Sequence, residues 1–273
     1  MPSISGKSKK NQEGIMLAVT RKTQIKDIML EKKSITVTEL SKKFSVTEET
    51  IRKDLQQLEN EGFLSRTYGG AYIQDGVLND IDLTLRETAC VDSKEAIAAK
   101  CAELIHHGDS IFLDASTTAT FVAKQIKNMR LTVVTNSLMA IDQLKDSESI
   151  HLIGIGGIYS SKTKAFNGRA TVQGLKEYYL DKAFMSCRSL SMEHGITDSN
   201  EDIALIRHTL LKNSNSVYLI ADKSKFDKTS FVHICDYDDI TGIVSDYHFS
   251  HEWKTFLSQR SVSIYECGSA GSY

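Results

Sequence analysis

Seven short apolar runs divide the chain after Ser93, and each ends abruptly in polar residues or glycine: SIFLD, LTVVTN, IHLIGIGG, LDKAFMSC, SVYLIAD, ITGIVSD and VSIYE. Most of the intervals between them are long enough for a helix. Strands that alternate with helices form right-handed βαβ units, so residues 93–273 are predicted to be an α/β domain with a mostly parallel, doubly wound sheet covered on both faces. No solenoid-length repeat competes with that reading. The one proline is Pro2, so element ends must be read from glycines and polar caps.

Upstream the rhythm is different. Ile25, Ile28 and Met29, then Leu40 and Phe44, then Ile51, Leu55 and Leu58 recur at helical spacing, which predicts three short helices. The stretch GFLSRTYGGAYI has strand formers on both sides of Gly69-Gly70, as a small hairpin requires. The expected organisation is a basic flexible tail (1–20), a domain of short helices and a hairpin (21–75), a linker (76–92) and the α/β domain (93–273). Residues 1–75 carry 13 Lys+Arg against 10 Asp+Glu, and the remainder 20 against 25, which fits two units with different partners. Lys7, Lys9 and Lys10 read as a solvated tail or a loose electrostatic arm.

Composition removes several classes. With 273 residues and 41% hydrophobic content, the chain can bury one or two cores. No apolar run approaches the roughly 18 residues of a membrane helix, and MPSISGKSKKNQEG lacks the apolar core of a signal peptide, so the expected location is the cytoplasm. The five cysteines never form CxxC, and no HExxH occurs, so neither a disulfide framework nor a metal is expected. GIGG lacks the spacing of a dinucleotide fingerprint and no P-loop is present, so no cofactor is expected either.

In the first block, Thr47 is a good N-cap for the helix that follows, and Glu48-Glu49 complement the positive end of its dipole. Ile51, Leu55 and Leu58 share one face; Glu49, Lys53, Gln56 and Gln57 lie opposite, with Thr50 and Arg52 on the flanks. That division suits a helix-turn-helix reading the major groove, with Arg66 and Tyr68 on the hairpin reaching phosphate or the adjacent groove. A three-helix bundle for protein contacts has the same pattern.

The run VTELSKKFSVTEETIRKDLQQLENEGFLSRTYGGA resembles the N-terminal winged helix-turn-helix of DeoR-type bacterial transcription regulators. Val46-Thr47 stands where the family has Val-Ser, and Thr50-Ile51-Arg52-Lys53-Asp54-Leu55 matches except that Lys53 replaces an arginine. The resemblance implies Thr47, Thr50, Arg52, Lys53 and Arg66 as contacts to double-stranded operator DNA. Lys53 lacks the bidentate fork of arginine and is assigned to phosphate. Asp54 is expected to hold a basic side chain.

In an open α/β sheet, ligands bind beyond the carboxyl ends of the strands. Those ends here carry Asp114, Ser116, Thr117 and Thr118, then Thr135, Asn136 and Ser137, Gly156 and Gly157, Ser186 to Arg188, and Asp222 to Lys225. Taken singly, such residues are ordinary helix caps. Together they fit a phosphate held by hydroxyls, helix starts and a lysine, with Asp114 accepting from sugar hydroxyls.

The resemblance extends here through Lys94, Ile97 and Ala98, then LDASTT, VTNSL, GIGG, Gly168 in FNGRA, DKAF and ADKSKF. It implies the DeoR sensor domain, related in fold to ribose-phosphate isomerases and CoA transferases, and an effector that is a phosphorylated sugar or related metabolite. Two departures stand out: Ser116 replaces a glycine, and MSCRSLS replaces G-A-D-G after DKAF. The second leaves no carboxylate to act as a base, which argues against turnover. Arg188 would then contact an anionic part of the effector, or form an ordinary ion pair. The expected function is a homo-oligomeric repressor of a carbohydrate-utilisation operon, with no catalytic residue and no membrane partner. A sugar-phosphate isomerase or transferase carrying a helical appendage is the alternative.

Overall fold

The computed structural model describes residues 7–32, 34–61, 63–67, 69–72 and 83–268. The chain divides into two compact units, Met1–Ala89 and Cys90–Tyr273.

In the first unit, α1 (Lys7–Lys32) is followed by β1 (Ser34–Thr36), α2 (Val37–Phe44), α3 (Glu48–Asn60), β2 (Ser65–Thr67), β3 (Gly70–Tyr72) and α4 (Leu83–Thr88). The helix begins at Lys7, inside the segment expected as a flexible tail, while the side chains of Lys7, Lys9 and Lys10 lie outside the described residues. Thr36 opens α2 with a capping box: its hydroxyl accepts from the Glu39 N–H, and the Glu39 carboxylate accepts from the Thr36 N–H. Ser45, at φ 52°, turns the chain between α2 and α3.

Ile25, Met29, Leu40, Ile51, Leu55 and Leu58 are fully buried in one cluster. Each such side chain contributes about 1.5–3 kcal/mol of transfer free energy, so α1, α2 and α3 gain a stable core. The hairpin β2–β3 is present, but β1 adds a third strand in the order β1-β3-β2. Gly70 is required there because a Cβ would lie 2.3 Å from the Ile35 carbonyl oxygen. Tyr68, the other expected wing residue, lies outside the described residues.

The second unit runs α5 (Val91–Glu103), β4 (Ser110–Leu113), α6 (Thr117–Ile126), β5 (Leu131–Thr135), α7 (Leu138–Leu144), β6 (Ile150–Gly154), β7 (Ile158–Ser160), β8 (Ala165–Asn167), α8 (Arg169–Lys176), β9 (Leu180–Met185), β10 (Ser189–Ser191), β11 (Gly195–Asp198), α9 (Glu201–Asn213), β12 (Ser214–Ile220), β13 (Val232–Cys235), β14 (Gly242–Ser245), α10 (His251–Ser258) and β15 (Ser263–Glu266). All seven anticipated strands pair in one parallel sheet, ordered β15-β14-β12-β9-β4-β5-β6. Ile97, Val122 and Leu144 of α5 to α7 pack on one face, and Leu175, Leu210 and Trp253 of α8 to α10 on the other.

The chain enters at β4, winds outward through β5 and β6, then returns to lay β9 on the other side of β4. The winding direction therefore reverses between β4 and β9, which opens a crevice at their carboxyl ends. Two smaller features were not anticipated: the hairpin β7–β8 and an antiparallel sheet β10-β11-β13. The MSCRSLS segment that departs from the family pattern enters this second sheet as β10.

Candidate functional site

On α3, the Thr47 hydroxyl accepts from the Thr50 N–H at 3.3 Å and lies 2.9 Å from the Thr50 hydroxyl, so the cap expected from sequence is present. Arg52 pairs with Glu48 at 2.6 Å and Lys53 with Glu49 at 3.0 Å, one helical turn away. Both pairs are exposed and screened by water, so a phosphate can displace either carboxylate. Lys53 nevertheless holds the Glu49 carboxyl below its ordinary range, by hydrogen bond and by charge.

Arg66 on β2 is held by Glu59, through its N–H at 2.8 Å and its Nε at 2.9 Å. Asp54 is buried and accepts from Arg21 Nε at 2.6 Å and Nη2 at 3.2 Å. It therefore locks α1 onto α3, as a carboxylate that holds a basic side chain should.

At the crevice, Asp114 is 2% exposed and all its contacts are internal. Its Oδ1 accepts from the Ser116 N–H at 3.0 Å. Its Oδ2 accepts from the Ser186 N–H at 2.8 Å and from Arg207 Nη2 and Nε at 2.8 and 3.1 Å. Instead of standing open for a sugar hydroxyl, this carboxylate ties the two strand ends together and neutralises a buried arginine.

Arg207 on α9 was not marked by the sequence. Its guanidinium lies between Asp114 and Asp198, and although burial opposes its charge, these two carboxylates outweigh that and raise its pKa. The arrangement is a carboxylate–guanidinium–carboxylate triad in which two carboxylates share one cation, and the N–H groups of Ser116, Ser186 and Ser199 stabilise the remaining negative charge.

Three of the expected hydroxyls are structural. Ser116 caps α6 by accepting from the Ala119 N–H at 3.1 Å, and Ser137 caps α7 by accepting from Ala140 at 3.2 Å. The Thr135 hydroxyl donates to the Leu113 carbonyl at 2.7 Å and accepts from the Ser137 N–H at 3.0 Å. Thr117 and Thr118 are different: both are buried at the start of α6, and their hydroxyls have no hydrogen bond among the described residues.

Asn136 is 2% exposed; its amide donates to the Phe166 carbonyl at 2.8 Å, and its Oδ1 is buried without a partner. Because the Phe166 carbonyl can only accept, the amide nitrogen must face it, and the oxygen must face away.

Lys225 sits in a single 3-10 turn, Lys223–Lys225, after β12. Its ammonium donates to Ser186 Oγ at 2.8 Å and the Cys187 carbonyl at 2.7 Å. Beside it, burial pushes the Asp222 carboxyl up, but Lys225, the Ser224 hydroxyl and Lys94 outweigh that and hold it below the usual carboxylate range.

Gly156 and Gly157 follow β6 on the far side of β5, where the Gly156 carbonyl accepts from the Thr171 hydroxyl at 3.0 Å. A Cβ on Gly157 would lie 2.1 Å from that hydroxyl oxygen. Arg188 is half-buried, and its backbone N–H donates to Thr197 at 3.0 Å, joining the small sheet.

Burial pushes the Cys187 thiol up to about 12. It stays protonated and shielded at pH 8, so iodoacetamide at that pH is expected to leave Cys187 unmodified in the folded protein and to label it after denaturation, read by peptide mass mapping. Rapid labelling of the native protein would contradict the buried placement.

Residues 21–76 match the DeoR-like helix-turn-helix domain, and residues 89–247 match the DeoR C terminal sensor domain. The chain is 40% identical to the HTH-type transcriptional regulator YulB of Bacillus subtilis, over 91% of this chain and 96% of that protein. It is 32% identical to the L-fucose operon activator of Haemophilus influenzae, over 83% of this chain and 91% of that one. The fold is also similar to ribose 5-phosphate isomerase A from Methanocaldococcus jannaschii, at 18% identity and a TM-score of 0.37, covering 49% of this chain and 53% of that one. The matched family comprises regulators and not enzymes, which sets aside the isomerase and transferase reading. With both halves matched in order and the likeness to YulB running through nearly the whole length, the chain belongs to the DeoR family of transcriptional regulators.

Proposed function

We propose that this protein is a cytoplasmic repressor of a carbohydrate-utilisation operon, and that a phosphorylated sugar bound at the carboxyl ends of β4 and β5 changes its affinity for operator DNA. The observation that carries the effector site is the unpartnered Asn136 oxygen, buried at the end of β5, one strand over from the β4–β9 reversal. A buried acceptor left unmatched costs about 1–3 kcal/mol, a cost removed when a ligand hydroxyl donates to it. The first N–H groups of α6 and the hydroxyls of Thr117 and Thr118 offer an anion its donors nearby, with Lys225 as the cation.

For DNA, the side chains of Thr47, at the N-cap of α3, and of Arg52 and Lys53, in its first turns, are exposed, while Ile51, Leu55 and Leu58 of the same helix are buried. One such helix reads few base pairs, so two copies on symmetric half-sites supply the specificity, and the working form is a homo-oligomer.

Arg52→Ala is expected to weaken binding to a duplex selected from random sequence by the full-length protein by about 1–3 kcal/mol, or roughly 5- to 150-fold, with circular dichroism unchanged. Wild-type affinity should also fall steeply with added salt. Titration of the wild-type complex with glucose 6-phosphate, fructose 1-phosphate, fructose 6-phosphate and ribose 5-phosphate, against inorganic phosphate as control, tests the effector. Arg52→Ala binding as tightly as wild type would overturn the DNA assignment, and an unchanged DNA affinity across the panel would overturn the effector assignment.

A further inference from the structure

Lys225 is the cation of the proposed site, and the turn that carries it is fastened to the segment that follows β14. The Lys223 N–H donates to Asp246 Oδ1 at 2.8 Å. The other oxygen of the same carboxylate, Oδ2, accepts from the Ser93 hydroxyl at 2.6 Å. Asp246 thus joins the Lys223–Lys225 turn to the first turn of α5, across 153 residues of sequence. A second attachment runs parallel to it: Phe226, next to Lys225, stacks on Tyr247, next to Asp246, with ring centroids 4.0 Å apart and planes within 3°. The turn and the residues after it are therefore held to the Asp246–Tyr247 segment by the Lys223 N–H on the Asp246 carboxylate, by the ring stack, and by the Tyr247 hydroxyl donating to Asp227 Oδ2 at 3.2 Å.

The place where this connection ends is informative. Ser93 lies three residues beyond Cys90, where the first unit gives way to the second. Cys90 is the N-cap of α5, at φ 51°, and supplies no side-chain hydrogen bond to the helix start. The end of α5 nearest the DNA-reading unit in sequence thus lacks the side-chain cap found on α2, α3, α6, α7 and α9. The Ser93–Asp246 bond fixes that end from outside the helix. Lys94, the next residue, is buried and adds its charge to those that stabilise the Asp222 carboxylate, on the residue preceding the turn.

We propose that Asp246 and Ser93 are positioning residues that couple the effector site to the junction between the two units. An anion that draws the Lys225 ammonium away from Ser186 Oγ and the Cys187 carbonyl moves its turn. Asp246 carries that displacement to Ser93 and so to the start of α5. Neither residue touches effector or DNA in this scheme. Their removal should uncouple two binding events that each survive. This rests on the effector reading given under Proposed function.

The test uses the full-length protein, the selected duplex and whichever sugar phosphate of the panel shifts wild-type DNA affinity most. Allosteric effectors typically shift affinity about 5- to 150-fold. In Ser93→Ala and in Asp246→Ala that shift is expected to fall to less than about a third of its wild-type size. DNA affinity without effector, and sugar-phosphate affinity of the free protein by calorimetry, should each stay within about threefold of wild type. Ser93→Thr keeps the hydroxyl and should retain the full shift. A purely structural role would instead lower both affinities or the melting temperature and leave the ratio intact. Wild-type coupling in both alanine variants, or equal loss in Ser93→Thr, would overturn the proposal. A wild-type protein that ignores every sugar phosphate would instead overturn the effector reading on which it rests, and that outcome is seen before any variant is made.

Discussion

Arg207→Ala is expected to lower the stability of the second unit by about 3–5 kcal/mol, the range for removing one partner from a buried charge cluster. Asp114 and Asp198 would both remain buried without their shared cation, and Asp114 Oδ2 would keep only the Ser186 N–H. Urea denaturation followed by the fluorescence of Trp253, which is buried in that unit, measures the loss. Asp198→Asn should cost less, because Arg207 keeps its two hydrogen bonds to Asp114. A midpoint unchanged in Arg207→Ala would show that the triad contributes no net stability. The variant should also lose response to sugar phosphates, since the same contacts hold the ends of β4 and β9 that frame the crevice.

Leu55→Ala should cost the first unit about 2–5 kcal/mol through lost burial and the cavity left behind. Leu55 is fully buried among Ile25, Met29, Leu40, Ile51 and Leu58, in a small core with little reserve. The expected readout is a low-temperature step in the melting curve and loss of DNA binding, while the second unit still melts where wild type does. The contrast with Arg52→Ala is diagnostic, because that variant should lose DNA binding without any early step. If Leu55→Ala melts as wild type, the helices of this unit are not held by the core described.

The strands of the large sheet were legible because each combines a short apolar run with an abrupt polar end, a pattern set by burial on both faces. The small strands were not. SLS and GITD mix polar and apolar residues over three or four positions, too short for a period to register, and AFN is shorter than a typical strand. At the site, the strand ends marked Asp114, Thr117, Thr118, Asn136 and Lys225, yet composition alone cannot separate a cap from a ligand donor. Ser116, Thr135 and Ser137 spend their hydroxyls on backbone groups within a few residues or on the neighbouring strand. Arg207 gave no signal: it lies within an ordinary-looking helix, 93 residues from the aspartate it neutralises. Only the fold brings the two together, and that contact changes Asp114 from an expected ligand contact into an internal counter-ion.

The sequence separations of these contacts also order their appearance as the chain is made. The Arg21–Asp54 pair of the first unit spans 33 residues, the Asp114–Ser186 contact 72, the Asp114–Arg207 pair 93 and the Ser93–Asp246 bond 153. Synthesis runs from the N-terminus and domains fold as units, while non-local strand pairing is slow because loop closure precedes any return. A chain emerging from the ribosome therefore completes the core of its first unit first. The crevice forms after α9 has emerged, and the bond from Ser93 to Asp246 closes only when nearly the whole sheet is in place. The helix-turn-helix unit is complete early, and the crevice of the sensor domain is among the last parts to be built.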